Sequence, residues 1–237
     1  MPCIKPQNPQ LPACIKLVIF DCDGVLVDSE TLSYRIYAEE FAHEGFNKTP
    51  EKLMKLMSGF SLDDMLKTVA SLRGSPLPPD FKKRLNAHVL TTFKTELQPT
   101  KGIVDLLTAL KHHSIPVCIV SNGEADRVEC ALKSAGLSHF FDKQHRFNVR
   151  LVEHGKPAPD LLLYAAHALK INPSECLVIE DSGTGIKAAQ AASMAVIGFL
   201  GASHAQNNGY KAKIKDAKPS ILVNSTQELI TTLFSQS

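Results

Sequence analysis

The stretch VIFDCDGVLVDSE, residues 18–30, carries the densest chemistry in the chain. Asp21 and Asp23 sit one residue apart directly after an apolar run. Gly24 follows, then the apolar Val25-Leu26-Val27, then Asp28 and Glu30. In an extended segment residues two apart project to the same side. Two carboxylates at that spacing can therefore serve one reacting group, one as nucleophile and one as proton carrier. A plainer reading also exists: Asp-Gly between two β-branched runs is a hairpin signal. The stretch alone does not choose between the two.

Other apolar runs end in the same way. Residues 115–120 lead into Ser121-Asn122-Gly123, and residues 176–179 lead into Glu180-Asp181-Ser182-Gly183. Lys156 stands before Pro157-Ala158-Pro159 at the start of a helical pattern. Each has an ordinary explanation as a turn, a helix cap or a solvated charge. Their convergence is the informative feature, because open parallel sheets bind ligands beyond the carboxyl ends of their strands. Four carboxylates in a partly dehydrated cleft repel one another and need a cation, and oxygen ligands suit Mg²⁺. A lysine and a serine hydroxyl beside such a site suit a phosphoryl group. One aspartate could then form an aspartyl-phosphate while the other protonates the leaving oxygen and later activates water.

The elements that would position these groups are strands alternating with helices, the pattern of an α/β fold with a parallel sheet covered on both faces. Strands are expected over 15–20, 115–120 and 176–179, with less regular runs at 194–200 and 220–223. Helices are expected over 101–113, 124–135, 158–170 and 185–193. Residues 29–97 break this rhythm: they are helical in pattern, capped by Ser29 or Asp28, with stretches over 51–57, 62–72 and 80–94. The spacing predicts a flexible tail over 1–14, an α/β core over 15–27 and 98–237, and a helical insertion over 28–97.

Composition narrows the function. The chain has 237 residues, 44% hydrophobic and 21% charged, with a net charge of +2. No lysine/arginine run suggests a nucleic-acid footprint, and no apolar run reaches the roughly 20 residues of a membrane span. The six cysteines form no CxxC pair, and a reducing, cytoplasmic setting is expected.

DCDGVLVDSE, VSNG, GKPAPD and VIEDSGTGI, in that order, resemble the haloacid dehalogenase superfamily. The chain is similar to the branch of β-phosphoglucomutase-like and sugar-phosphate phosphatases, which have a Rossmann-like core and an inserted α-helical cap. The resemblance runs from Ile15 onward. It implies Asp21 as nucleophile, Asp23 as general acid/base, and Ser121, Asn122 and Lys156 on the phosphate. It also implies Mg²⁺ on Asp21, the carbonyl of Asp23, and Asp181, with Glu180 as a ligand or just behind. The loop Ser58-Gly59-Phe60-Ser61-Leu62-Asp63-Asp64 looks substrate-facing, with Arg35 within reach of the same ligand. Ser33 and Leu62 stand where the mutase family has a histidine and an arginine. The reading is thus a monomeric Mg²⁺-dependent phosphatase of a small sugar or sugar-acid phosphate, such as 6-phosphogluconate. A phosphomutase is the alternative. A true dehalogenase, which needs no acid at position 23, and a non-catalytic phospho-aspartate module account for less of the chain.

Overall fold

A computed structural model describes residues 2–57, 60–206 and 208–234. Six strands, β1 Leu17–Phe20, β2 Val117–Ser121, β3 Arg146–Asn148, β4 Cys176–Glu180, β5 Ala195–Phe199 and β6 Ile221–Val223, form one sheet in the order β3-β2-β1-β4-β5-β6. Every neighbouring pair is parallel. The chain winds from β1 out to β3, crosses back to β4 on the other side of β1, and continues outward. That reversal opens a crevice at the carboxyl edge of β1 and β4.

The apolar runs lack alternation because both faces of the sheet are covered. All four residues of β1 are buried. Four helices, α1 Glu30–His43, α2 Pro50–Met57, α3 Leu62–Arg73 and α4 Phe81–Glu96, lie between β1 and the rest of the core. The core helices are α5 Ile103–His112, α6 Ala125–Ser134, α7 Asp160–Ala168, α8 Gly183–Ala191, α9 Asn208–Asp216 and α10 Thr226–Phe234. Val18 and Phe20 share a core with Leu106 of α5, Val128 of α6 and Leu229 of α10. Leu17 and Ile19 share one with Leu161 of α7, Ile186 of α8 and Ile214 of α9.

The Asp-Gly turn is real but builds no hairpin. Gly24 N donates to Val27 O at 2.8 Å and Leu26 N to Cys22 O at 3.0 Å, so the chain doubles back within six residues. It then enters the helical insertion. An antiparallel bridge pairs Val27 with Pro99, and Asp28 N donates to Gln98 O at 3.1 Å, so the way in and the way out lie side by side. Ser29 sits at the N-terminal cap of α1, but its hydroxyl makes no cap bond and donates to Asp23 instead.

Two departures from the sequence expectation stand out. The opening segment is not a free tail: Ile4 and Ile15 exchange backbone hydrogen bonds of 2.9 and 2.8 Å, and Ile4 and Leu11 are buried. The three-residue edge strand β3 and the helices α9 and α10 were not foreseen.

The insertion has its own aromatic centre. Phe41 of α1 stacks on Phe81 of α4 at 5.5 Å and 13°, with Phe46 edge-on at 6.2 Å. Phe41 is fully buried. Truncating it to alanine is expected to cost about 3–5 kcal/mol. Urea unfolding followed by circular dichroism checks this, and a midpoint equal to that of the parent protein would contradict it.

Candidate active site

β1 ends at Phe20, paired with Ile179 of β4, so the next residue on each strand, Asp21 and Glu180, emerge side by side. Asp21 N donates to Ile179 O at 3.0 Å, which ties that exit to β4. Lys156 Nζ bridges the two carboxylates, 2.7 Å from Asp21 Oδ1 and 2.7 Å from Glu180 Oε1. All three are mostly buried: their side chains are 3%, 13% and 1% exposed in the order Lys156, Asp21, Glu180. Burial alone would lower the lysine's pKa, but the two carboxylates overcome it and raise it.

The backbone of Lys156 is fixed by Asn122, whose Oδ1 accepts from Lys156 N and whose Nδ2 donates to Lys156 O, both at 2.9 Å. Glu180 Oε2 accepts from Ser182 N and Oγ, each at 2.8 Å. Glu180 also lies so close over the first turn of α8 that a Cβ on Gly185 would stand 1.7 Å from Oε1. Glycine at that position is a packing requirement. Ser121, at the end of β2, is buried and accepts from Gly123 N at 3.0 Å.

Asp21, Glu180 and Asp181 each offer a carboxylate oxygen within 4.8 Å of the others. Burial pushes Asp21 well above the usual carboxylate range; Lys156 opposes this, and Glu180 and Asp181 add to it. Asp181 is raised for the same first reason, with Glu180 second. A cation among these oxygens would relieve that strain, and hard oxygen donors fit a metal ion. The donor set therefore suits a metal ion.

Asp23 faces the same space but feels a different field. Burial would raise it, and Arg127 overrides burial and holds it below the usual range. Arg127 Nη2 donates to Asp23 Oδ1 at 3.0 Å, and Ser29 Oγ donates to the same oxygen at 2.5 Å. The guanidinium also reaches the insertion: Ser33 Oγ at 3.1 Å, Tyr37 Oη at 3.4 Å, and the face of Phe93 at 4.9 Å. Between insertion and core lies a cavity of about 420 Å³, lined by Tyr34, Phe60, Leu62 and Asn86 on one side and by Ser121 and Lys156 on the other. Glu30 also lines it, its pKa pushed up to about 7 by burial, with His204 pulling the other way.

The structure thus brings Asp21, Asp23, Ser121, Lys156, Glu180 and Asp181 to one cavity. Phe60 and Ser61 line it as well; Ser61 caps α3 by accepting from Asp64 N. Gly59 lies outside the described residues. Asn122 lines the cavity, but its amide is committed to the Lys156 main chain rather than turned to a phosphate. Arg35 is misplaced by the sequence reading. It lies on the opposite face of α1 from Ser33 and Tyr37, exposed and paired with Glu96 at 2.5 Å near the start and end of the insertion. Helical period explains this, since residues two apart do not share a face. Arg127 was missed altogether. It looks like a surface charge on an amphipathic helix, and only its position in the first turn after the Ser-Asn-Gly loop hints otherwise.

Residues 18–199 match the family model of haloacid dehalogenase-like hydrolases. The chain is 31% identical to 6-phosphogluconate phosphatase of Escherichia coli (strain K12), over 80% of this chain and 85% of that protein. Its fold is similar to a haloacid dehalogenase-like protein of unknown function from Agrobacterium tumefaciens, with TM-score 0.80 and 29% identity over 91% of this chain and 96% of the other. It is also similar to a hydrolase of the same family from Deinococcus radiodurans, solved with bound phosphate and sodium, with TM-score 0.75 and 31% identity over 92% and 95%. With the family pattern matched over most of its length and the same fold beneath it, the chain is an enzyme of the haloacid dehalogenase-like hydrolase family.

Proposed function

We propose that the protein is a Mg²⁺-dependent phosphatase that removes the phosphoryl group from a small sugar or sugar-acid phosphate through an aspartyl-phosphate on Asp21. The observation that carries this reading is the pairing of Asp21 with Lys156 at 2.7 Å while Asp23, one residue on, faces the same cavity. In the first step an Asp21 oxygen attacks phosphorus, the bond from phosphorus to the substrate oxygen breaks, and Asp23, protonated once the anionic phosphoryl group beside it raises its pKa, gives that oxygen a proton. In the second, Asp23 takes a proton from water, the water oxygen attacks phosphorus, and Asp21 is restored as inorganic phosphate leaves. Lys156 offsets the charge on Asp21 and on the phosphoryl group, and Ser121 binds a phosphoryl oxygen. A Mg²⁺ would be held by Asp21, Asp181 and the main-chain carbonyl of Asp23, and would supply further charge neutralisation. Glu180, with both oxygens carrying donors, acts by holding Lys156.

The helical insertion over 28–97 is the cap in this reading. It closes the cavity from above, so that bulk water is excluded while the phosphoryl group passes to Asp21, and the water of the second step enters the same cavity. A cavity of about 420 Å³ suits a metabolite rather than a macromolecule. The similarity to 6-phosphogluconate phosphatase supports a sugar-acid phosphate. The mutase alternative is disfavoured by the cap: Ser33 Oγ is bound by Arg127 and Leu62 presents an apolar side chain to the cavity. A cytoplasmic monomer remains the expected setting.

A panel of sugar, sugar-acid and nucleotide monophosphates assayed for phosphate release tests this reading. Turnover is expected for sugar or sugar-acid phosphates, lost with EDTA and reduced at least about 1,000-fold in a folded Asp21→Asn protein. Glucose 6-phosphate formed from β-glucose 1-phosphate faster than free phosphate would favour the mutase. Full activity of Asp21→Asn would remove the nucleophile.

Glu30 gives a separate pH test. Its folded value of about 7 stands above the ordinary 4.5. Its favourable contribution is therefore complete below about pH 4.5 and is lost as pH rises through about 7. Glu30→Gln removes that dependence. In EDTA, the melting temperature of the variant relative to the parent is expected to climb between about pH 5 and about pH 8. A difference flat with pH would contradict the burial of Glu30 as a titrating acid.

A further inference from the structure

His204 has no part in the chemistry above, yet it is built into the site. It belongs to the short helical turn Ser203–Gln206, between β5 and α9, and its side chain is wholly buried. Nε2 lies 2.9 Å from Asp181 Oδ2, but neither ring nitrogen has an aligned hydrogen-bond partner among the described residues. A buried imidazole without partners is costly. The acceptor within its reach is the Asp181 carboxylate.

The surroundings hold the pair together from three sides. A Cβ on Gly24 would stand 2.0 Å from Asp181 Oδ2 and 2.9 Å from His204 Cε1. The glycine after the paired aspartates is thus what admits the imidazole beside the carboxylate. Tyr210 of α9 packs edge-on against the imidazole at 4.6 Å and 87°. Its hydroxyl donates to Asp181 O at 3.0 Å and comes within 3.4 Å of Oδ2. The turn itself is anchored by the neighbouring Ser203, whose N and Oγ donate to Asp28 Oδ1 at 3.2 and 2.8 Å and whose Oγ lies 2.9 Å from Thr31 Oγ1. A side chain carried on so fixed a turn has little freedom to point elsewhere.

We propose that His204 is a positioning residue for Asp181: its ring N–H takes Oδ2, leaves the other carboxylate oxygen for the cation, and so sets the affinity of the site for a divalent metal. The proposal rests on the reading of Asp181 as a metal ligand. Donors behind a ligating carboxylate fix its orientation, and their loss weakens metal binding without touching the metal directly.

Calorimetric titration of chelator-treated protein with MgCl₂ alone tests it, with no substrate and no turnover involved. His204→Ala is expected to weaken Mg²⁺ binding about 10–100-fold. His204→Gln, whose amide N–H can still donate, is expected to recover most of that loss. With Mg²⁺ saturating, KM for the best substrate of the panel should stay within about threefold, since the imidazole faces Asp181 and not the phosphoryl group. If the alanine variant fails to fold, His204→Phe fills the volume without a donor and takes its place. Unchanged Mg²⁺ affinity, or equal losses in the donor-bearing and donor-free variants, would overturn the proposal. A parent protein that takes up no Mg²⁺ would overturn the metal reading and this inference with it, whereas a parent that binds beside unaltered variants overturns the inference alone.

Discussion

The site is assembled around one buried ammonium. Lys156 sits between Asp21 and Glu180, two carboxylates that would otherwise face each other at adjacent strand ends with little water to screen them. That contact requires β1 and β4 to be neighbours in a fixed register, because a slip of one residue would turn Asp21 and Glu180 to opposite faces. It also requires Lys156 to arrive at a set depth, which Asn122 ensures by gripping its backbone on both sides. Four separated segments of sequence are thus locked by two ion contacts and a pair of amide hydrogen bonds. Their shared position at the sheet edge is a consequence of charge as much as of topology.

The lysine does not balance the site. Asp21 and Asp181 stay well above the ordinary carboxylate range, because burial and the neighbouring carboxylates outweigh Lys156. Asp23 moves the opposite way under Arg127. Two aspartates one residue apart are therefore held in different electrostatic states, and in the proposed chemistry each must shift: a cation beside Asp21 would lower its pKa for attack, and the charge of a bound phosphoryl group would raise that of Asp23 for proton donation. The second charge pair differs from the first in what it joins. Arg127 belongs to the core, yet it bonds Ser33 and Tyr37 and lies on Phe93, all in the helical insertion. Asp23 is held by a residue that also holds the roof of the cavity.

Much of this was legible in the sequence because it depends on strand ends. An unalternating apolar run marks a strand buried on both faces, and the residue after it lies at the functional edge. Asp21, Ser121, Glu180 and Asp181 follow from that rule, and Lys156 from the Pro-x-Pro helix start. The central strands were located to within two residues, but β3 was not, since Arg146-Phe147-Asn148 is too short and too polar to show as a buried run. The placement of Arg35 failed because helix phase within the insertion decides which side chains reach the cavity, and spacing alone does not fix that phase. Arg127 and His204 were invisible for a related reason: each acts through a contact made by tertiary packing, 104 residues from Asp23 in one case and across the β5–α9 connection in the other. The opening segment looked like a loose tail by its prolines, and a single bridge to Ile15 with two buried apolar side chains was enough to pin it.

The central claim is that Asp21 carries the phosphoryl group. The most direct measurement is acid quenching of the enzyme during turnover of its best substrate, followed by peptide mass spectrometry with sodium borohydride reduction of any acyl phosphate. The account predicts that borohydride converts Asp21, and no other residue, to homoserine in the enzyme quenched during turnover, and that no homoserine forms in the Asp21→Asn protein. A quenched enzyme that turns over substrate but carries no phosphoryl group, or carries it on Asp23, Ser121 or a histidine, would contradict it.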